Sequence, residues 1–159
     1  MKRIWVLTAV AGLMLSTSGC EREKDRLDAE VRRLCAVDGG VRVHETVMLA
    51  GDEYQALLNR YGELQIPSKK FAKPSDAFYL ESARKQLKSG NPEMWRSEFS
   101  IVRRSDGKIL ASSVYYTRRG GDMPGPWHES SFSCPDTRGN ARFSEQAIKR
   151  TDKASKGIR

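Results

Sequence analysis

The sequence predicts an α+β fold in which an antiparallel sheet of about four strands is covered by an N-terminal helix and fastened by one disulfide bond. Three observations support this fold class. An apolar stripe with helical spacing begins at Leu27, segments of alternating character flank an Asp-Gly pair, and Cys35 and Cys134 stand near the two ends of the patterned region. We therefore expect one domain, residues 27–136.

The first twenty residues have the pattern of an export signal that ends at a cysteine. Lys2 and Arg3 form a positive start, and an uncharged, mostly apolar run of twelve residues, 4–15, follows them. As a helix this run would be about 18 Å long, well short of the ~30 Å hydrocarbon core of a membrane. A cleaved signal over residues 1–19 is therefore favoured over a permanent membrane span.

The end of this segment, Ser16-Thr17-Ser18-Gly19-Cys20, resembles the lipobox of bacterial lipoproteins, in which small residues precede a cysteine that is acylated. The resemblance implies that Cys20 carries lipid and that residues 20–26 form a tether on the periplasmic side of the membrane. In such lipoproteins, the residue after the cysteine biases sorting, and Glu21 implies the outer membrane rather than the inner one. The alternative is ordinary cleavage that leaves Cys20 as a free thiol.

The cysteine count supports the lipid anchor independently. The chain has three cysteines, and an exported protein rarely keeps an idle thiol in an oxidising compartment. If Cys20 is acylated, Cys35 and Cys134 remain for one disulfide. The alternatives are two buried free thiols, or a metal site that would need ligands the sequence does not place nearby.

The charge of the chain indicates its partners. The precursor carries a formal net charge of +8, which falls to +6 when Lys2 and Arg3 are removed. For an exported protein this charge favours anionic envelope components, such as phospholipid, lipopolysaccharide or cell-wall polymer, or an envelope protein, over nucleic acid.

The first half of the domain alternates helical and extended patterns. Leu27, Val31, Leu34 and Cys35 form one stripe of a helix that Gly39-Gly40 would end, with Asp28 and Arg32 as an i,i+4 ion pair on its surface. A strand is predicted over 41–49, and a short helix capped by Asp52 over 52–60. The loop over 63–74 carries a cluster of lysines, for which a solvated surface is the expected role: Lys69, Lys70 and Lys73.

The second half of the domain is predicted to form a meander of antiparallel strands. Residues 77–88 fit either a helix or a strand, and the turn signal over 89–93 favours the strand. Ser105-Asp106-Gly107-Lys108 predicts a two-residue hairpin loop. The resulting register would pair Trp95 with Arg118 and gather the large apolar side chains on one face: Trp95, Phe99, Ile101, Leu110, Val114 and Tyr116.

The candidate ligand-binding residues lie in the Gly- and Pro-rich loop over 118–129. Arg118, Arg119, Trp127 and His128 would combine guanidinium groups for an anion with an indole for stacking. The alternative is structural, with Trp127 plugging the core while the glycines and prolines shape the chain. The basic tail over 137–159 is predicted to be disordered, with at most a transient helix near 144–150.

Catalytic signatures do not occur in the sequence. It contains no Gly-x-Ser-x-Gly elbow, His-Glu-x-x-His pair or phosphate-binding glycine loop. We therefore predict a non-catalytic binding or interaction module with no cofactor and no bound metal. The alternative is a periplasmic enzyme or metal-binding protein with a site around His128, next to Glu129 and near Ser130 or Ser133.

The body of the chain also resembles a group of small uncharacterised lipoproteins of Gram-negative bacteria. The resemblance spans about Cys35 to Cys134 and rests on three motifs: Cys35-Ala36-Val37-Asp38-Gly39-Gly40, Gly90-Asn91-Pro92-Glu93-Met94-Trp95-Arg96 and Arg103-Arg104-Ser105-Asp106-Gly107-Lys108. It implies a location in the cell envelope and no particular activity.

Overall fold

The structure is a computed structural model, and it describes residues 23–122, 128–135 and 143–151. The predicted signal segment, Cys20 and Trp127 lie outside the described residues. Residues 137–142 and 152–159 of the predicted tail also lie outside them. Within the described part of the chain, no helix is long and apolar enough to cross a membrane.

Helix α1 covers residues 23–38 and confirms the predicted N-terminal helix. Leu27, Val31 and Cys35 are buried along its inner face, as the apolar stripe requires. The helix ends before Gly39, where an added Cβ atom would lie 2.6 Å from the carbonyl oxygen of Cys35. Only glycine fits at this position, which is why the predicted stop is sharp.

The main sheet contains three long antiparallel strands, β3 (Phe78–Lys88), β4 (Glu93–Arg103) and β5 (Ile109–Arg119). Strand β3 confirms the extended reading of residues 77–88. Two short strands, β1 (Gly40–Val43) and β6 (Ser131–Cys134), pair in succession with the same edge of β5, giving the order β1-β5-β4-β3 with β6 beside β1. The sheet therefore has five strands, and its opposite edge is β3.

The disulfide bond joins the last turn of α1 to β6. Cys35 and Cys134 are bonded, and their Cα atoms lie 5.8 Å apart. The bond fixes the helix against the edge of the sheet and confirms the predicted pairing.

The hairpin between β4 and β5 differs from the predicted two-residue loop. The N–H of Arg103 donates to the carbonyl of Lys108, and the N–H of Gly107 donates back to Arg103, so the loop is longer. Gly107 has a φ of +70°, and no other residue of this loop has a positive φ. The register also shifts between Ile101 and Val102, and Trp95 pairs with Thr117 rather than Arg118.

This shift by one residue places apolar side chains on both faces of the sheet, because successive side chains of a strand point in opposite directions. Met94, Val114 and Tyr116 pack against α1 in one cluster. Ile101 and Ala111 belong to a second cluster, which packs against other elements. The prediction that one face collects all the large apolar residues is therefore wrong.

The elements that close the second cluster differ in extent or pairing from the predicted ones. The predicted strand over 41–49 is interrupted at 44–46, so that β2 (Val47–Leu49) leaves the main sheet. A short helix, α2 (Gly51–Ala56), follows, and its N-cap is Ala50 rather than Asp52. The predicted disorder of the tail is wrong for residues 143–151, where α3 (Phe143–Ala147) leads into β7 (Ile148–Arg150).

Strand β7 pairs in parallel with β2 to form a separate two-stranded sheet. Phe143, Ala147 and Ile148 are buried in the second cluster. The prediction of disorder followed the overall basic composition of the tail. Three apolar residues at positions i, i+4 and i+5 were nevertheless enough to bury one side of this segment.

Candidate functional site

Arg118, the first predicted ligand-binding residue, lies inside the protein. Its side chain is 2% exposed, and two of its nitrogens donate to the two carboxylate oxygens of Asp28 in α1 at 2.7 and 3.0 Å. The third nitrogen, Nη1, donates to the carbonyls of Gly120 and Ser130 and to the Ser130 hydroxyl, each at 2.9 Å. Arg118 therefore fastens α1 to the 118–130 loop and is not open to an external anion.

The other predicted residues that the structure describes, Arg119 and His128, lie on the surface and do not join Arg118 in the interior. Arg119 is exposed and donates to Glu129 at 3.1 Å, and His128 is exposed on the loop. Trp127 lies outside the described residues. Within the described ranges, no group of three or more metal-ligating side chains occurs, around His128 or elsewhere.

Asp122 links the same loop to α1 through contacts with Ser130 and Lys24. Its carboxylate accepts from the Lys24 ammonium at 2.6 Å and from both the N–H and the hydroxyl of Ser130. Lys24, followed by the two Ser130 donors, lowers the pKa of the Asp122 carboxyl well below its ordinary value. These contacts give the loop a structural role at the start of α1.

A groove of about 830 Å³ opens on the α1 side of the sheet, beyond the end of the helix. Helix α1 ends at Asp38, whose carboxylate accepts from Arg96 at 3.1 Å, and Glu98, two residues further along β4, already lies in the groove. Ala83, Glu98 and Ser100 line its floor. The side chains of Ala83 on β3 and Ser100 on β4 are small and leave this space open.

Two exposed apolar side chains form the walls of this groove. Phe71, in the loop beside β3, is 75% exposed, and Ile109, at the start of β5, is 46% exposed. Isolated apolar residues are common on protein surfaces, but two that face the same groove give it an apolar rim suited to a ligand. The lysine cluster predicted as a plain solvated loop contributes Lys69 and Lys70 to the same rim.

The carboxylates of the groove are each paired with a cation. Lys69 contacts Glu81, and this hydrogen bond raises the pKa of the Lys69 ammonium. Arg96 donates to Glu98 at 2.6 Å. Lys70 lies over the ring of Phe71, 5.6 Å from its centroid, so it adds positive charge beside the apolar wall.

A second depression, of about 340 Å³, lies on the opposite face of the same strands. Ser97, Phe99 and Tyr115 line it, and the rings of Phe99 and Tyr115 stack with centroids 5.6 Å apart. Arg84 borders this depression, and its guanidinium lies 4.2 Å from the centroid of the Trp95 ring. Ser82 and Ala83 of β3 line both depressions, so the two flank one strand.

His44 and Ser112 form a contact near the groove that the sequence did not suggest. The Nε2 atom of His44 lies 3.2 Å from the hydroxyl oxygen of Ser112, which is 8% exposed and pairs across the strands with Ser100. The break in the predicted strand at residue 44 turns the imidazole toward the sheet. Sequence spacing carried no signal of this pair, because 68 residues separate its members.

No protein-family model, curated protein or solved structure matches this chain.

Proposed function

We propose that the protein is a lipid-anchored cell-envelope lipoprotein that acts as a non-catalytic binding module on the periplasmic side, at the outer membrane. The groove beside β3, of about 830 Å³ with an apolar and basic rim, is the observation that carries the binding role. The pairing of Cys35 with Cys134 supports the anchor, because it leaves Cys20 as the unpaired cysteine of the three.

The start of α1 would orient the domain at the membrane. Lys24 is held by Asp122, and Glu23 lies 3.3 Å from the ammonium of Lys88 at the end of β3. Cys20 lies three positions before Glu23 in the sequence, and a chain of this length spans at most about 11 Å. An acylated Cys20 would therefore keep the start of α1 and the β3–β4 turn close to the lipid headgroups.

A labelling experiment tests the anchor. Cells fed an alkyne analogue of palmitate should label the wild-type protein and Ser18→Ala, and both should sediment with the membranes. Cys20→Ser should lose the label and leave the membrane fraction. Retention of label and membrane association by Cys20→Ser would contradict the anchor.

Density-gradient separation tests the sorting of the anchored protein. The wild type should travel with the outer membrane, whereas Glu21→Asp should shift toward the inner membrane. An unchanged distribution of Glu21→Asp would contradict the role proposed for Glu21.

Site-specific photo-cross-linking in intact cells tests the binding role. A photoreactive residue at Phe71, on the wall of the groove, should give a discrete adduct with an envelope protein or polymer. The matched control is the same residue at Lys149 of β7, which is exposed, belongs to the separate two-stranded sheet and does not line the groove. Equal cross-linking from both positions, or from neither, would contradict a binding site in the groove.

A second candidate function is ester hydrolysis, with Ser112 as nucleophile and His44 as base, and the 3.2 Å contact between them favours it. This pair replaces the neighbourhood of His128 as the site for an enzyme. A fluorophosphonate probe would label Ser112 if the pair were reactive. We expect the binding function, and therefore no difference in labelling between wild type and Ser112→Ala.

A further inference from the structure

The outer edge of β3 is open over most of its length. At Leu80 the edge is closed, because its N–H donates to Pro67 and its carbonyl accepts from Lys69, both at 2.8 Å. Within the described part of the chain, this bridge is the one strand contact on that edge. From Ser82 to Leu87 every residue of β3 is exposed.

The bridge also shows which backbone groups the open edge offers. Alternate residues of an antiparallel strand direct their N–H and C=O groups to the same side. Since Leu80 directs both groups outward, Ser82, Arg84 and Gln86 do so as well, before the strand becomes irregular between Gln86 and Lys88. These three residues are a template for one more strand.

The surroundings of this edge suit the side chains of an added strand. Side chains of an extended segment alternate between the two faces of a sheet. The groove with Phe71 lies on one face beside the edge, and the depression with Phe99 and Tyr115 lies on the other. An added strand would therefore find room for its side chains on both sides.

The charge along the edge is positive. Among the described residues, no carboxylate lies within ion-pair distance of Lys70, Arg84 or Lys85, whereas Glu81 and Glu98 are already paired. A like-charged or neutral strand would offer these cations no carboxylate, and an acidic one would pair with them.

We infer that the open edge of β3 binds an extended acidic segment of a partner protein by strand addition. The segment pairs its backbone with Ser82, Arg84 and Gln86 and directs carboxylates toward Lys70, Arg84 and Lys85. This inference rests on the proposed binding function and names the class of its partner. Lysines on an edge also discourage self-association, and the same cations that repel a second copy attract an acidic segment.

The probe is a fluorescent twelve-residue peptide that repeats Glu-Glu-Val-Val, so that an added strand carries carboxylates on both faces, and it is added to the full mature protein in detergent. Its anisotropy should rise on binding and fall as salt is added, whereas the matching Lys-Lys-Val-Val peptide should not bind. Amide hydrogen exchange should slow at Ser82, Arg84 and Gln86 in the complex. Binding without slower exchange at these three amides would overturn strand addition.

Two kinds of variant separate backbone pairing from charge. Ser82→Pro removes one outward N–H, keeps every charge and should weaken binding about tenfold. Arg84→Glu and Lys85→Glu should each weaken it, and Lys149→Glu, with the same change of charge on β7, should not. Ala83→Pro removes an N–H that points into the sheet, so it should lower the melting temperature far more than Ser82→Pro.

The outcomes distinguish this inference from the function on which it rests. Unchanged binding by a folded Ser82→Pro, or equal binding of both peptides, would overturn strand addition while cross-linking at Phe71 still supported a binding site. Concentration-dependent dimers that Ser82→Pro disrupts would show that a second copy occupies the edge, and would overturn the acidic partner. If Ser82→Pro fails to fold, the exchange rates of the wild type decide.

Discussion

Asp28 and Arg118 form an ion pair that joins the first turns of α1 to the end of β5, with both carboxylate oxygens engaged at 2.7 and 3.0 Å. The two side chains are 90 residues apart in the sequence. The carboxylate in α1 was expected to pair with Arg32, one turn further along the helix. Arg32 instead lies over the ring of Phe132, 4.5 Å from its centroid.

Removing one partner of this pair should be costly. Asp28→Ala leaves the guanidinium of Arg118 buried without its carboxylate partner. This uncompensated buried charge should lower the free energy of unfolding by roughly 3–5 kcal/mol. Denaturant titration of the oxidised protein measures this loss. Asp25→Ala, which removes an exposed carboxylate from the same helix, is the matched control and should change stability little.

Replacing both partners tests the rest of the Arg118 network. Asp28→Leu combined with Arg118→Met should recover only part of the lost stability, because the carbonyls of Gly120 and Ser130 lose their donor. Full recovery in the double variant would show that these carbonyl contacts contribute nothing.

The disulfide should contribute a large share of the stability. Replacing Cys35 and Cys134 together with alanine should lower the free energy of unfolding by about 2–5 kcal/mol, because the unfolded chain then loses a cross-link between residues 99 apart. Denaturant unfolding with and without a reductant measures the effect. The wild type should respond to the reductant and the double variant should not; identical curves for oxidised and reduced wild type would contradict the prediction.

Asp122 should make stability depend on pH under acidic conditions. Its folded pKa is lowered, chiefly by Lys24, so its contribution is complete above the unfolded pKa of about 3.9 and is lost as the pH falls through that value toward the folded pKa. Asp122→Asn should therefore flatten the decline in unfolding free energy below about pH 4. Asp25→Asn is the control because it leaves the contacts of the 118–130 loop intact, and an equally steep decline in Asp122→Asn would argue against this coupling.

The segment over 143–151 should be part of the core rather than a tail. Ile148 is fully buried, and Ile148→Ala should lower the free energy of unfolding by about 2–5 kcal/mol. The neighbouring Lys149 is exposed, and Lys149→Ala should stay within about 0.5 kcal/mol of the wild type. Thermal unfolding of both variants measures the contrast, and equal melting temperatures would mean that the segment does not stabilise the fold.

Local patterns in the sequence predicted the elements that depend on neighbouring residues. The stripe of Leu27, Val31 and Cys35 predicted α1, and the turn over 89–93 correctly favoured a strand before it. The cysteine count predicted the disulfide, because counting the cysteines requires no knowledge of which residues are close in space.

The parts that sequence reasoning missed depend on distant contacts. The hairpin loop between Arg103 and Lys108 shifts the register of β5 against β4 by one residue, so the side chains of β5 point to the opposite face from the one predicted. The Asp-Gly pair is compatible with both registers and could not distinguish them. Arg118 was predicted to bind a ligand, but it is buried, and its burial is favourable only because Asp28 on another element pairs with it. The groove beside β3 likewise depends on how far α1 extends across the face of the sheet. The sequence pattern predicts the last residue of the helix but not its position over the strands.

The pairing of β2 with β7 sets an order for the completion of the fold during synthesis. Val47 pairs with Ile148, so β2 must wait for its partner until another 101 residues have been made. Until then the second cluster lacks Phe143, Ala147 and Ile148 and exposes apolar surface. A nascent chain that stops short of this segment would therefore carry a disulfide-competent helix and sheet but an unfinished core, and would be a natural substrate for chaperones and proteases.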